Sequence, residues 1–552
     1  MAQALRHTLK GVLSGTALRQ SLSPPGLLAV AGMALVVLPL LPGLAPLLAA
    51  QTAQSWQALF SDDQTLAALR VTLVSALLST GLATVLALLV TASVYPGAAW
   101  SRLQRRLPAV LALPHAAYAI GAFFLLSPSG WLARLISPLM GWDAPPDVAV
   151  VRDAHGVGLG LLLGLKEALF LLWVLAAVLQ EGPQQRQMTL LRSMGYRSGQ
   201  IWLQVLLPQL LPRLAWPLLA VLAYSVSVVD VALILGPGSP PSLAVLAWRW
   251  LYDGDAALQA QGAAATALLL GVFLALVGLA GLLWRALLLV WRQPGGRRWP
   301  ARGPRGPVLS HALMAFFAAV ALVIALWSVA GPWFFPDVLP SRVTLQGWQD
   351  ASLVPLWTAL VLGAGSALLG AALVLLWLDF GPRTLDRWLY LPLIVPALPL
   401  AAGQYHAVLL AGLSGHVLTV LWAHLLWVIP YMLLTLAGPH AGLDPRLMST
   451  ARSLGLSRWQ TSWRVRWPLL LRPILAALAI GFAVSVAQYL PTLFAGGGRV
   501  ATVTTEAVAL SSGGNRRTIA VQAALQMLLP LAVFAAATLA GQWAGRQRRS
   551  WR

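Results

Sequence analysis

The chain has 552 residues, 59% hydrophobic and 10% charged, with 37 Lys and Arg against 16 Asp and Glu, a formal net charge of +21 and no cysteine. About a quarter of an ordinary soluble domain is charged, so this composition excludes a soluble fold and makes the bilayer the natural solvent. The absence of cysteine excludes disulfides and thiolate metal sites, and a basic excess scattered over loops that flank apolar runs needs no nucleic-acid partner.

Apolar stretches of about 20 residues, enough to cross ~30 Å of hydrocarbon as helix, recur twelve times. The first six lie near 26–50, 67–93, 108–126, 157–180, 214–236 and 262–284; the second six lie near 310–330, 353–379, 388–413, 417–436, 473–491 and 519–541. Backbone polar groups find no water in lipid, so the expected fold is an all-α polytopic membrane protein of about twelve helices. The first run is too long, and preceded by too much chain, for a signal peptide, and reads as an uncleaved helix. Both termini placed in the cytoplasm put most of the Lys and Arg inside and most of the Asp and Glu outside, as the positive-inside rule asks.

A repeat organises these elements. After the fourth span the chain reads Leu191-Arg192-Ser193-Met194-Gly195 and continues to Leu207-Pro208; after the tenth it reads Ala451-Arg452-Ser453-Leu454-Gly455 and continues to Trp467-Pro468. Gly precedes Pro by 13 residues in both copies, and the copies are 260 apart. In the third and ninth spans Pro114 precedes Gly121, and Pro396 precedes Gly403, by seven residues. Gly195 comes 81 residues after Pro114 and Gly455 comes 59 after Pro396, so the first half carries 22 more residues, in the stretch from about 127 to 156. The expected units are therefore a first half (1–292, loop 183–212), a basic Gly- and Pro-rich cytoplasmic linker (293–309, with Gly295, Gly296, Arg297, Arg298 and Pro300) and a second half (310–552, loop 443–472). Glycine suits a turn of positive φ and proline redirects a helix, which fits a protruding helix-turn-helix. A lone copy would pass for an ordinary interfacial helix; two at fixed spacing do not.

At these loops the chain resembles the permeases of binding-protein-dependent ABC importers, whose cytoplasmic loop reads Glu-Ala-Ala, three residues, Gly, nine residues, Ile-x-Leu-Pro. The resemblance covers nearly the whole chain and is nearest to the fused two-half permeases of the iron(III), thiamine and polyamine group. Ala487-Gln488-Tyr489-Leu490-Pro491-Thr492, Gly498-Arg499, Thr504-Thr505-Glu506-Ala507 and Arg516-Arg517 resemble a thiamine-type branch. It implies six-helix type I halves related by a pseudo-twofold axis, two ATPase copies docked at the loops, a periplasmic solute-binding protein opposite them, and alternating access in the inner membrane. The family's Glu is replaced by Thr189 and Ser449, and its Ala pair by Leu190-Leu191 and Thr450-Ala451. Docking then falls to loop shape and to Arg192, Ser193, Gly195, Pro208, Arg452, Ser453, Gly455 and Pro468.

A phosphate-binding loop needs Gly-x-x-x-x-Gly-Lys-Ser/Thr. The two lysines of this chain precede Gly11 and Glu167, so hydrolysis, with its ATP and Mg, belongs on a separate chain, and no cofactor is expected here. Ionisable groups within a bilayer cost at least ~2.5 kcal/mol each and usually face a protein interior. Lys166 and Glu167 in the fourth span and Asp230 in the fifth qualify. Consecutive helical residues point about 100° apart, so Lys166 and Glu167 pair poorly with each other, and one could meet Asp230. Aligning Ser225-Val226-Ser227-Val228 with Ala483-Val484-Ser485-Val486 sets Asp230 opposite Gln488. The fifth helices line the path in the family, which makes Asp230, Gln488 and Tyr489 path candidates; a buried structural network is the competing reading, and is favoured for Lys166 and Glu167. His416 and His424 lack acidic partners at ligand spacing and read as core or interfacial rather than metal-binding. A proton- or ion-coupled twelve-helix carrier is the alternative function, but it has no need of the repeated loop.

Overall fold

Proline marks two of the places where these helices break, and glycine the places where they cross most closely. The computed structural model describes residues 23–147, 149–290, 303–304, 306–513 and 515–549; Gly295, Gly296, Arg297, Arg298 and Pro300 of the expected linker lie outside them. The first half contains α1 (Pro24–Val37), α2 (Leu40–Ala49), α3 (Thr65–Val94), α4 (Ala98–Leu111), α5 (His115–Leu126), α6 (Trp131–Met140), α7 (Val157–Glu181), α8 (Gln184–Ser193), α9 (Ala215–Ser227), α10 (Asp230–Leu235), α11 (Leu243–Leu251) and α12 (Ala256–Val290). The second contains α13 (Val308–Ser328), α14 (Val354–Phe380), α15 (Ala397–Leu410), α16 (Val417–Ala441), α17 (Pro445–Ser453), α18 (Leu471–Ala487), α19 (Leu490–Gly496), α20 (Val503–Leu510) and α21 (Arg516–Arg549). The described residues are helices and loops, with one isolated antiparallel bridge between Ala330 and Val343. Ten helices among them are long and apolar enough to cross a membrane, or up to twelve if each of two bent pairs counts as one span.

Besides the turn at Leu38-Pro39 that separates α1 from α2, four of the expected spans are interrupted. The span at 108–126 is split: Pro108–Leu111 end the amphipathic α4, and α5 starts only after Pro114, whose backbone is extended. At 388–413 the segments Arg383–Ile394 and Ala397–Leu410 meet at 101°. The cause is the same in both, since a residue before proline is held out of the helical region; Val395 has ψ 139°. The spans at 214–236 and 473–491 break after Ser227 and Ala487, and short helices resume at Asp230 and Leu490. Irregular backbone at membrane depth is tolerated only inside protein, and Val228, Val229, Gln488 and Tyr489 are all buried.

The first helices of the two halves are exchanged. α2 packs along α15 and α1 against α14 and α16, while α13 packs on α5 and α21. Accordingly Ala29, Met33, Val36 and Leu40 belong to the core built by α14, α16 and α18, whereas Leu313, Phe317, Val320 and Ile324 belong to the other core, which most of the first-half helices build together with α21. Both crossings use the glycine of the Pro-to-Gly repeat. A Cβ on Gly43 would lie 2.0 Å from the Gly403 carbonyl oxygen, and one on Gly121 would lie 2.6 Å from Val320 Cγ1. Small residues let helix backbones approach closely where lipid offers no hydrophobic drive for association.

Candidate coupling loops and translocation path

The repeated loops share one backbone. α8 and α17 are capped by Met194 and Leu454, and Gly195 and Gly455 follow with φ of +86° and +88°. The Tyr196 amide donates to the Leu191 carbonyl (3.0 Å) and the Leu456 amide to Ala451 (3.2 Å), the six-to-one bond that closes a helix on a left-handed glycine. A Cβ on Gly455 would meet nothing within 4 Å, so glycine is there for its φ and not for space. Each loop continues into a short helix, then a π-turn at Trp202–Leu206 or Ser462–Arg466, again 260 residues apart. Hydropathy gives no sign of this wider turn.

Pro208 lies in the helical turn that follows the first π-turn, and Pro468 in the turn that follows the second. The chain runs on as one span, Ser198–Ser227, in the first half but bends by 81° between Arg458–Leu469 and Leu471–Ala487 in the second. Arg192, Ser193, Arg452 and Ser453 are exposed, and the two serine hydroxyls donate to carbonyls of their own helices, Leu190 at 2.7 Å and Ser449 at 3.1 Å. The tips are apolar: Met194 is 57% and Leu454 79% exposed.

Between the halves, the two helix breaks face a set of buried polar groups. Ser225 Oγ donates to Ser79 Oγ (3.0 Å) and Ser485 Oγ to Ser366 Oγ (3.4 Å), so Ser225 corresponds to Ser485 and not to Ala483. The 260-residue offset therefore persists through the breaks. Gln488 occupies the position of Val228, and Asp230 that of Leu490, two residues from the pairing read from sequence; hydroxyl spacing alone misled that alignment, and the backbone corrects it. Asp230 and Tyr489 nonetheless lie within coulombic reach of each other. The Ser227 hydroxyl accepts from the Ala397 amide (2.9 Å), joining the first break to the start of α15.

Lys166 and Glu167 point to different tasks. Lys166 Nζ donates to the Leu113 carbonyl at 2.6 Å and, at 3.4 Å, to Val110, below the rings of Tyr118 and Phe317. It thus closes the end of α4 and the entry to α5. Glu167 Oε1 is 3.0 Å from His115 Nε2, and the His115 ring leans on Tyr224, 4.8 Å between centroids. Tyr224 lies in turn within coulombic reach of Asp230 and Glu167. Neither Lys166 nor Glu167 forms an ion pair with Asp230 among the described residues. Gln488 Nε2 donates to the His424 carbonyl (3.1 Å), and both ring nitrogens of His424 are hydrogen-bonded, to Ser485 Oγ (2.7 Å) and Thr492 Oγ1 (2.8 Å). Gln488 Oε1 is buried with no protein partner among the described residues.

His115 and Tyr224 were missed from sequence, although His115 follows the repeated Pro114 at the mouth of a span. Beyond them Trp248 neighbours Tyr489, and Tyr252, Tyr405 and Phe494 form a ring cluster with centroids 5.2–6.2 Å apart. Burial pushes the Tyr252 phenol above its ordinary range, with Tyr405 adding to the effect.

No family model matches the chain. It is 42% identical over 521 residues, 94% of this chain and 97% of the relative, to the inner membrane ABC transporter permease protein YnjC of Escherichia coli (strain K12). PhnV of Salmonella typhimurium (strain LT2), named as a permease protein of a 2-aminoethylphosphonate transport system, is 26% identical over 36% of this chain and 78% of its own length. The cysT protein of Chlorokybus atmophyticus, named as a permease protein of a sulfate transport system, is 28% identical over 32% of this chain and 66% of its own length. Near-complete coverage at this identity, together with ten or more membrane-length helices, places the chain in the inner membrane as a transport subunit and not an enzyme, with ATP hydrolysed on a separate partner. The chain belongs to the family of permease subunits of ABC transporters.

Proposed function

We propose that this chain supplies both permease halves of one importer, with both termini in the cytoplasm and one copy of the ATPase, carrying ATP and Mg, at each of the loops around Gly195 and Gly455. The observation that carries this reading is the loop backbone itself, repeated at 260 residues with the same glycine φ and the same π-turn. The match of PhnV, of which 78% aligns with only 36% of this chain, supports two permease units within one polypeptide, 1–292 and 310–552 joined through 293–309. A solute-binding protein delivers to the opposite face, and ATP-driven approach of the loops opens the path outward before hydrolysis resets it.

The path runs between the breaks after Ser227 and Ala487, past Asp230, Tyr489, Gln488 and the Glu167–His115 pair, with Lys166 reserved for structure. Two carboxylates that have, among the described residues, a single histidine as ion-pair partner suit a cationic solute, in keeping with a thiamine-type branch of the iron(III), thiamine and polyamine group. Radiolabelled thiamine uptake by proteoliposomes holding the permease, its ATPase and the binding protein tests this. Asp230→Asn should abolish uptake with the complex still assembled. Unchanged uptake removes Asp230 from the path. Uptake that resists vanadate but collapses with a proton uncoupler replaces the importer with a carrier.

A further inference from the structure

The second loop is anchored to the bundle by an ion cluster that has no counterpart at the first loop among the described residues. Asp379, on the last turn of α14, has a side chain only 1% exposed. Its Oδ1 pairs with Arg466 and, at 2.7 Å, with His440 Nε2, while its Oδ2 accepts from Trp467 Nε1 at 2.8 Å. Arg466 is the last residue of the π-turn, and His440 the penultimate residue of α16. Trp459, at the start of the same loop segment, sits against both Trp467 and Phe380. One carboxylate therefore joins two membrane helices to the segment leading from Gly455 into α18. A buried carboxylate held by a guanidinium, an imidazole and an indole is strongly directional, and removing one partner strands a charge.

Among the described residues the first half shows no such ion cluster. α7 and α16 correspond at 260 residues, as do the π-turns, so His440 and Arg466 fall on Gln180 and Leu206. Ser79 and Ser366 set the offset of α3 and α14 at 287, so Asp379 falls on Ala92. Leu206 is fully buried, so at the position of Arg466 the first loop makes an apolar contact, which lets surfaces slide.

We propose that Asp379 is a positioning residue for coupling: it locks the second loop to α14 and α16, so that movement imposed on this loop by the ATPase reaches the far end of α14. The two loops then transmit unequally, the second as a rigid lever and the first with slip. This rests on the assignment of both loops as ATPase contacts. The absence of native cysteine makes the test clean, since introduced cysteines are the only labelled sites. Spin labels at Leu66→Cys and Val354→Cys, both exposed near the starts of α3 and α14, report the distance between the two helix ends in the complex with its ATPase, before and after trapping with Mg-ATP and vanadate.

Asp379→Asn and Arg466→Gln should at least halve the trapped-state distance change while the ATPase still co-purifies and hydrolyses ATP. A change of native size in these variants overturns the proposal. If either variant loses the ATPase, the double variant Asp379→Ala/Arg466→Leu, which copies the apolar first half, decides: a distance change still halved supports the lever, and one restored to native size shows that the cluster serves only stability. Co-purification reports on the loops and the distance reports on the cluster, so the two readings fail separately.

Discussion

Lys166 and Glu167 are neighbours in the chain with unrelated tasks, and what separates them is direction around the helix. Lys166 satisfies the Leu113 carbonyl where Pro114 prevents α4 and α5 from bonding to each other. Lys166→Met should therefore destabilise the detergent-solubilised chain by ~1–3 kcal/mol, the cost of a buried acceptor left unsatisfied, read as a lower unfolding temperature. A similar loss is expected for His424→Leu, which strips partners from the hydroxyls of Ser485 and Thr492. That these ionisable residues were buried in protein was legible from sequence, because lipid leaves no other place for them. Which of them met which was not: Glu167 and His115 are 52 positions apart, and only the crossing of α5 and α7 unites them. The Asp379 cluster escaped notice for a related reason, since its members lie at helix ends and loops, where charged residues ordinarily meet water.

At the scale of elements, glycine has two separable uses. Gly43 and Gly121 are small because another helix needs the room, whereas Gly195 and Gly455 are glycine because of φ. Gly43→Ala should cost ~1–3 kcal/mol through overpacking against the Gly403 backbone, while Gly81→Ala, with nothing within 4 Å, should leave the unfolding temperature within a degree or two. Gly455→Val forces a β-branched residue into the left-handed region, ~1–2 kcal/mol, and should weaken capture of the ATPase on an affinity column. Gly455→Asn, which tolerates that region, should retain most of it. Loop spacing was readable in advance because a repeat shows itself in one sequence. The helix breaks were not, because Val228-Val229 and Gln488-Tyr489 contain no proline or glycine, and their extended turn is permitted only by burial between the halves.

For the whole molecule, the exchange of first helices makes each half incomplete alone. Residues 1–292 expressed without the rest leave α1 and α2 without their helical partners α14, α15 and α16, and should be degraded or aggregate. Co-expressed with 310–552, they should co-purify and bind the ATPase, because α1 and α2 pack directly on helices of the second half and α13 on α5 of the first; failure of the pair to associate would show that the covalent joint is needed for assembly. An all-helical polytopic fold was legible from hydropathy alone, with the twelve expected spans against ten to twelve observed among the described residues, but the trading of first helices was not, since α1 and α13 are almost wholly apolar and advertise no partner. The same exchange dictates a timetable for synthesis. α2 meets its main partner α15 only after a further 348 residues (397 − 49) have been made, roughly 20–70 s at ~5–20 residues per second. Throughout that interval α2 waits with its glycine-notched face against lipid, open to membrane proteases and insertion chaperones in a chain still unfinished.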